Sequence, residues 1–236
     1  MPGIETTELI ADKSPRKTAR MAGLFYLIFI LTTVLATSIR DRFIVSGDAA
    51  ATANNIISSQ GLFRLGFVTE LVSATFFVLA AWALYVLLKP VNKNMALLFL
   101  LLNLGGVAVE CLNALNLFAA LQFLSGANYL SVFQTGQLQA MAMSSLDLYT
   151  SGFLMAQIFF SVWLLPLGYL VYKSRSLPRL LGLLLILDFF GNMSWFLQGF
   201  LLPNYEILRY PGNAISFIAE IALTVWLLIM AVKEQK

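Results

Sequence analysis

The sequence predicts an all-α fold: a polytopic membrane bundle of six transmembrane helices with both termini in the cytoplasm. Of its 236 residues, 59% are hydrophobic and only 11% are charged, and the mean hydropathy is +0.82. A water-soluble domain carries about twice that share of charged residues. The apolar residues also form long runs instead of narrow stripes, which is typical of helices that face lipid on most sides.

Six segments are apolar over the roughly 20 residues that a helix needs to cross a bilayer. They define a transmembrane domain at residues 21–232, between a polar N-terminal tail at 1–20 and a short tail at 233–236, both predicted to be cytoplasmic. The predicted spans cover residues 21–39, 65–88, 95–121, 146–171, 180–202 and 214–232.

The orientation follows from the basic residues of the loops. Eleven of the 15 Lys and Arg residues lie on the side of the two termini, and the others are Arg40, Arg42, Arg64 and Arg209. Because short cytoplasmic loops are enriched in Lys and Arg, both termini are predicted to be inside. Tyr149, at the outer end of the fourth span, is expected to lie in the headgroup zone.

The connections carry turn and capping signals. Asp48 is placed to cap a short helix over residues 49–59 in an outer loop. Residues 125–145, which contain no Lys or Arg, are either a second interfacial helix or an outward extension of the fourth span. Pro166 lies inside the fourth span and is predicted to kink it, because proline lacks the amide proton that a helix needs.

The most informative residues for function are carboxyl groups inside the spans: Glu70, Glu110, Asp188 and Glu220. A carboxyl group is costly in hydrocarbon, so each is expected to be neutral, paired or turned toward a cavity. Helical spacing places Asn113 on the same face as Glu110, and Asn192 on the same face as Asp188. Since lipid cannot satisfy such groups, these faces are predicted to point into the bundle.

Three of the carboxyls, those of Glu70, Glu110 and Glu220, are predicted to lie at similar depth in the outer half of the membrane. The functional interpretation is an outward-facing acidic cavity that binds a cation, carries protons or holds a small cationic or hydroxylated solute. The further candidates for ligand binding are Asn113, Asp188 and Asn192. The structural interpretation is that each glutamate is protonated and hydrogen-bonded to a neighbouring helix.

Two charged residues at the outer ends of spans are candidates for a gating interaction or an ion pair. Arg64 precedes the second span, and Asp147 lies at the outer mouth of the fourth. Arg64 is six residues from Glu70, so the two do not share a helix face. We therefore expect Arg64 to pair with Asp147 or with one of the glutamates across the bundle.

Known reaction motifs do not occur in the sequence. It contains no histidine, no glycine-rich nucleotide loop and no GxSxG nucleophile elbow, so no catalytic residue, metal ligand or cofactor is assigned. A formal net charge of +3 without a basic patch argues against nucleic-acid binding. The expected partners are the lipid bilayer and a small-molecule or cation ligand. Two alternatives to solute binding or transport stay open: a non-catalytic accessory subunit of a membrane complex, and an intramembrane enzyme that uses carboxylates.

Four segments carry a family resemblance: LFRLGF at 62–67, LYVLLKPV at 84–91, WLLPLGYLVYKS at 163–174 and LPRLLG at 177–182. The last two are the more specific, because they combine proline, glycine and charge at fixed spacing. Together they resemble a bacterial family of small polytopic membrane proteins known as a domain of unknown function. The resemblance covers nearly the whole chain from Arg20 onward. It implies a six-helix multi-pass protein of the bacterial cell (inner) membrane, and it implies no activity, cofactor or site residue.

Overall fold

The computed structural model describes residues 15–174 and 176–229, and every regular element in these ranges is a helix. The α-helices are α1 (Pro15–Asp41), α2 (Ala49–Ser58), α3 (Gln60–Leu88), α4 (Lys93–Asn113), α5 (Leu115–Phe123), α6 (Thr135–Val162), α7 (Leu164–Lys173), α8 (Arg179–Leu201) and α9 (Arg209–Ile229). Single turns of 3₁₀ helix occur at Asn128–Leu130 and Glu206–Leu208.

Within the described residues, six helical stretches are long and apolar enough to cross a membrane: α1, α3, α4 with α5, α6 with α7, α8, and α9 with the short turn before it. The predicted all-α bundle of six spans is thus confirmed, and the chain is a multi-pass membrane protein. Residues 15–20, predicted as part of the polar tail, form the first turns of α1. The rest of that tail, the tail at 233–236 and the end of the last predicted span at 230–232 lie outside the described residues.

Two of the spans are interrupted for a single residue. The break between α6 and α7 at Trp163 agrees with the kink predicted from Pro166, because a proline cannot donate to the carbonyl four residues earlier, here that of Val162. The break between α4 and α5 at Ala114 involves no proline or glycine. It directly follows Asn113, whose side-chain amide donates to the Tyr149 carbonyl oxygen of α6 at 2.7 Å.

The loop elements follow the local signals of the sequence. The Asp48 carboxylate accepts a hydrogen bond from the Ala51 amide at 2.8 Å, which confirms it as the cap of α2. α2 packs on α6, and Ile56 of α2 is fully buried in a core cluster that also contains Leu146 of α6. Within residues 125–145, α6 begins at Thr135, so most of this segment is an outward extension of the fourth span.

The six spans form a closed ring in the order α1, α3, α4–α5, α6–α7, α8 and α9, and α9 in turn packs against α1. One end of the ring, which we call the basic face, carries the start of α1, the turn at residues 89–92, the end of α7 and the start of α8. Lys89, Lys93, Lys173 and Arg179 lie at this end. The other end, the opposite face, carries the loops at residues 42–59, 124–134 and 202–208. Placement of the basic face in the cytoplasm stays a prediction from loop charge.

Glycine allows α8 to approach its neighbours closely. A Cβ at Gly191 would lie 2.9 Å from the Cα of Gly212 in α9, and a Cβ at Gly182 would lie 2.6 Å from the Tyr172 amide nitrogen of α7. Small residues at helix contacts let backbones pack tightly in membranes. These contacts draw α7, α8 and α9 together near the basic face and at mid-height, where side chains such as Leu167 and Leu223 are fully buried.

Candidate functional site

A central cavity of about 360 Å³ lies inside the ring, and side chains from all six spans line it. Its polar lining consists of Thr33, Glu110, Gln157, Asn192, Asn213, Ser216 and Glu220. Its aromatic lining consists of Phe29, Phe77, Phe153, Phe160, Trp163, Trp195 and Phe217. The volume is in the range of small-molecule pockets, about 300–1,000 Å³, and so is the combination of apolar walls with a few polar groups.

Aromatic rings close the central cavity on the side of the basic face. Phe77 stacks on Phe29 with ring centroids 4.1 Å apart, and it contacts Phe160 at 5.3 Å and Trp163 at 5.1 Å. Phe77, Phe160 and Trp163 are buried in the core beneath the cavity. Asn213, one turn from the start of α9, is exposed. Phe217, one turn further along α9, also lines the cavity and is exposed. The cavity is therefore open beside the first turns of α9, and it ends on a floor of rings.

Two carboxyl groups project into the central cavity, those of Glu110 from α4 and Glu220 from α9. Within the described ranges, neither carboxyl forms a hydrogen bond or an ion pair with another residue. The described residues that line the cavity also include no Lys or Arg. Both acids thus face cavity space without a fixed counter-charge, which is costly unless the group is neutral or a ligand supplies the charge.

The third predicted glutamate, Glu70, belongs to a smaller cavity of about 20 Å³. The Tyr149 hydroxyl donates to Glu70 Oε1 at 2.7 Å, and Arg40 Nη1 donates to the same hydroxyl at 2.7 Å. Arg40 Nη1 also lies 3.9 Å from Glu70 Oε2, and its guanidinium lies 4.9 Å from the centre of the Tyr149 ring. This Arg40–Tyr149–Glu70 cluster joins α1, α6 and α3, and it gives Glu70 both a donor and a counter-charge.

Glu110 is shared by the two cavities. It lines the small cavity together with Arg40 and Glu70, and it lines the central cavity together with Glu220. Thr33 and Phe153 also line both. The three glutamates therefore line two adjoining chambers. Glu70 lines the small chamber, Glu220 lines the central chamber, and Glu110 lines both.

Asp188 forms a compact network with the neighbouring helix. The Ser216 hydroxyl of α9 donates to Asp188 Oδ1, and the Asn192 amide donates to the same oxygen at 2.7 Å. The Asn192 amide also donates to the Ser216 oxygen at 3.1 Å. Asp188 is fully buried and its Oδ2 has no hydrogen-bond partner among the described residues. Asn192 and Ser216 extend this network to the wall of the central cavity.

The remaining predicted residues are not among the residues that line the two cavities. Asn113 is buried between α4 and α6, where it donates to the Tyr149 carbonyl and accepts from Asn116 at 3.0 Å. Arg64 and Asp147 are both exposed, and in the part of the chain that the structure describes neither forms an ion pair. The predicted ion pair of Arg64 is therefore wrong. Arg40 is the arginine that lies beside Glu70, because the end of α1 packs directly against α3.

Several lining residues have weaker signals in the sequence. Arg40 stands at the end of an apolar run, a position typical of a loop residue, and its partner on α3 becomes visible only after packing. Tyr149 was expected in the headgroup zone but is buried, and the spacing of Tyr149, Phe153 and Gln157 by four residues places all three on one face. That spacing is the signal that identifies the cavity-facing side of α6.

No group of three acidic or cysteine side chains in the described ranges is arranged to hold a metal ion. The carboxyls lie instead in separate environments along the ring. The arrangement suits ligands that are bound by one or two acids together with aromatic and amide side chains.

Comparison with known proteins identifies the family. Residues 21–231 match the family described as Domain of unknown function (DUF4386), and the chain therefore belongs to it. The chain is also similar to an uncharacterized protein of Archaeoglobus fulgidus, with 28% identity over 157 residues, which is 64% of this chain and 75% of the relative. No solved structure matches the chain.

Proposed function

We propose that this member of the DUF4386 family binds a small solute in the central cavity and moves it across the membrane. The supporting observation is a cavity of about 360 Å³ that all six spans line and that holds two carboxyls without a partner among the described residues. Internal cavities and unpaired buried acids both lower stability. Such local departures from optimal packing are characteristic of functional sites.

The proposed direction of access follows from loop charge. With the basic face in the cytoplasm, as the positive-inside rule favours, the opening beside Asn213 faces the exterior. The family resemblance favours the inner membrane of a bacterial cell as the location. The floor of Phe77, Phe160 and Trp163 then separates the bound solute from the cytoplasm, and transport requires these rings to move apart.

A cavity-filling variant tests the proposal. The full chain in lipid nanodiscs is screened by thermal unfolding against a panel of amines, polyols, amino acids and metal cations. We expect at least one class to raise the unfolding temperature of the wild type, because a ligand that binds only the folded state stabilises it. Asn213→Trp, which places an indole in the cavity opening, is expected to abolish that shift.

The matched control is Ile218→Trp, on the exposed side of α9 five residues further along. It is expected to keep the ligand-induced shift, since its side chain does not line the cavity. Uptake of the bound class into proteoliposomes then tests the transport step. A panel in which no compound shifts the wild type, or a shift that survives Asn213→Trp, would contradict the proposed site and favour the accessory-subunit alternative.

A further inference from the structure

The ionisable side chains that line the central cavity are all acidic. Glu110 and Glu220 line it, and the nearest cation among the residues that line either cavity is Arg40. That guanidinium is engaged by the Tyr149 hydroxyl, by Glu70 and by Asp41, whose Oδ1 lies 3.5 Å from Arg40 Nε. A positively charged solute would supply the missing counter-charge, whereas an anionic solute would be repelled by both acids.

The walls favour an organic cation over a metal ion. Divalent cations such as Ca²⁺ and Mg²⁺ require several oxygen ligands or retained water, and no described group of three acidic or cysteine side chains is arranged to provide them. The cavity instead presents aromatic rings from α1, α3, α6, α8 and α9. Ring faces attract an alkylammonium group within about 6 Å, and such aromatic cages are a common way to recognise quaternary ammonium ions.

The rings that line the cavity form two groups of contacting aromatic side chains. Phe153 of α6 and Trp195 of α8 lie with centroids 5.7 Å apart, and Phe77 joins Phe29, Phe160 and Trp163 on the floor. Glu220 of α9 lines the same cavity as both groups of rings. A ligand therefore meets apolar rings over its body and carboxyl groups at its charge.

We propose that the solute class of the central cavity is a small organic cation, an alkylated or quaternary amine whose charge is held by Glu220 and Glu110 and whose apolar body packs on the aromatic rings. This inference rests on the proposed function, since it names the solute of that same cavity. The amides of Gln157 and Asn213 are available to a hydroxyl or carbonyl substituent of the ligand.

An isosteric ligand series tests the charge requirement. Choline, its neutral carbon isostere dimethylbutanol and the matching anion dimethylbutanoate have similar shapes and differ in charge. Binding to the full chain in nanodiscs is followed by tryptophan fluorescence, because Trp163 and Trp195 line the cavity. We expect saturable binding of choline at least about tenfold tighter than that of the neutral isostere, which corresponds to about 1.4 kcal/mol, and no binding of the anion.

Variants then locate the charge. Glu220→Gln is expected to weaken choline binding by at least about tenfold and to leave the neutral isostere unchanged. The control is Glu206→Gln, an exposed acid paired with Arg209 outside the cavity, which is expected to change neither. Glu110→Gln provides a second cavity variant, and thermal unfolding verifies that each protein is folded.

The outcomes separate the two proposals. Equal or tighter binding of the neutral isostere overturns the cation inference and leaves solute binding in the cavity intact. Choline binding that is unaffected by both Glu220→Gln and Glu110→Gln overturns the inference as well, because the charge is then held elsewhere. Absence of binding for all three compounds overturns the cation inference, and the proposed function is then decided separately by the panel screen with Asn213→Trp.

Discussion

Glu70 and Glu220 are the same residue type inside the same ring of helices, yet their surroundings are opposite. Glu70 accepts a hydrogen bond from Tyr149 and lies beside Arg40, so its charge is balanced by the protein itself. Glu220 faces a cavity of about 360 Å³, and its carboxyl has no partner among the described residues. Glu110 lines both chambers, so it shares one cavity with Arg40 and the other with Glu220.

The contrast separates two uses of an acid in a membrane. A buried acid with a donor and a counter-charge links helices, and its removal weakens the fold because its partner is left unpaired. An acid that faces a cavity without a partner contributes little to the fold and is available to a ligand. The Glu70 chamber is accordingly interpreted as structural and the Glu220 chamber as the binding site.

The largest effect is expected for Arg40→Met. Removal of the guanidinium leaves Glu70 as an uncompensated buried acid, so the free energy of unfolding should fall by about 3 kcal/mol. The measurement is denaturation by sodium dodecyl sulfate in mixed micelles. Arg64→Met is the control, since Arg64 is exposed and carries the same charge change. Equal losses for the two variants would remove the basis for a structural Arg40–Glu70 pair.

A loss of about 2 kcal/mol is expected for Gly191→Ala. The new methyl group would meet the backbone of Gly212 at 2.9 Å, and the helices must separate to admit it. Because α8 and α9 also carry Asn192 and Glu220, the variant should disturb the central chamber while the Arg40–Tyr149–Glu70 cluster stays intact. Gly61→Ala, where an added Cβ meets nothing within 4 Å, is the matched control in the same unfolding assay.

A smaller loss, about 1.5 kcal/mol, is expected for Tyr149→Phe. The substitution keeps the ring under Arg40 and removes the hydroxyl that joins Arg40 to Glu70. Tyr129→Phe, at an exposed tyrosine in the loop before α6, should change stability by less than about 0.5 kcal/mol. A Tyr149→Phe protein as stable as the wild type would show that the hydroxyl does not support the cluster.

The spans were predictable because length and hydropathy determine them locally. Each apolar run of about 20 residues satisfies its own backbone hydrogen bonds as a helix, whatever its neighbours are. The cap at Asp48 and the break before Pro166 were predictable for the same reason, since both depend on groups within four residues. The interruption at Ala114 had no such local signal.

The site was predictable only in part, because partners depend on packing. Spacing along each helix correctly placed Glu110, Asn192 and Glu220 on inward faces. It could not show that Arg40 rather than Arg64 reaches Glu70, since that depends on how the end of α1 meets α3 and α6. The aromatic lining of the central cavity was also not predicted from the sequence, because phenylalanines in apolar helices have no distinguishing pattern until the ring of spans is assembled.

The most direct test of the contrast is a comparison of Glu70→Met with Glu220→Met in the same unfolding assay. Methionine matches the length of glutamate and removes its charge. We predict that Glu70→Met loses about 3 kcal/mol, because Arg40 is left without its buried partner. Glu220→Met should instead be unchanged or more stable by up to about 1 kcal/mol, because it removes an unpartnered polar group. Similar losses at both positions would contradict the assignment of one acid to the fold and the other to a ligand.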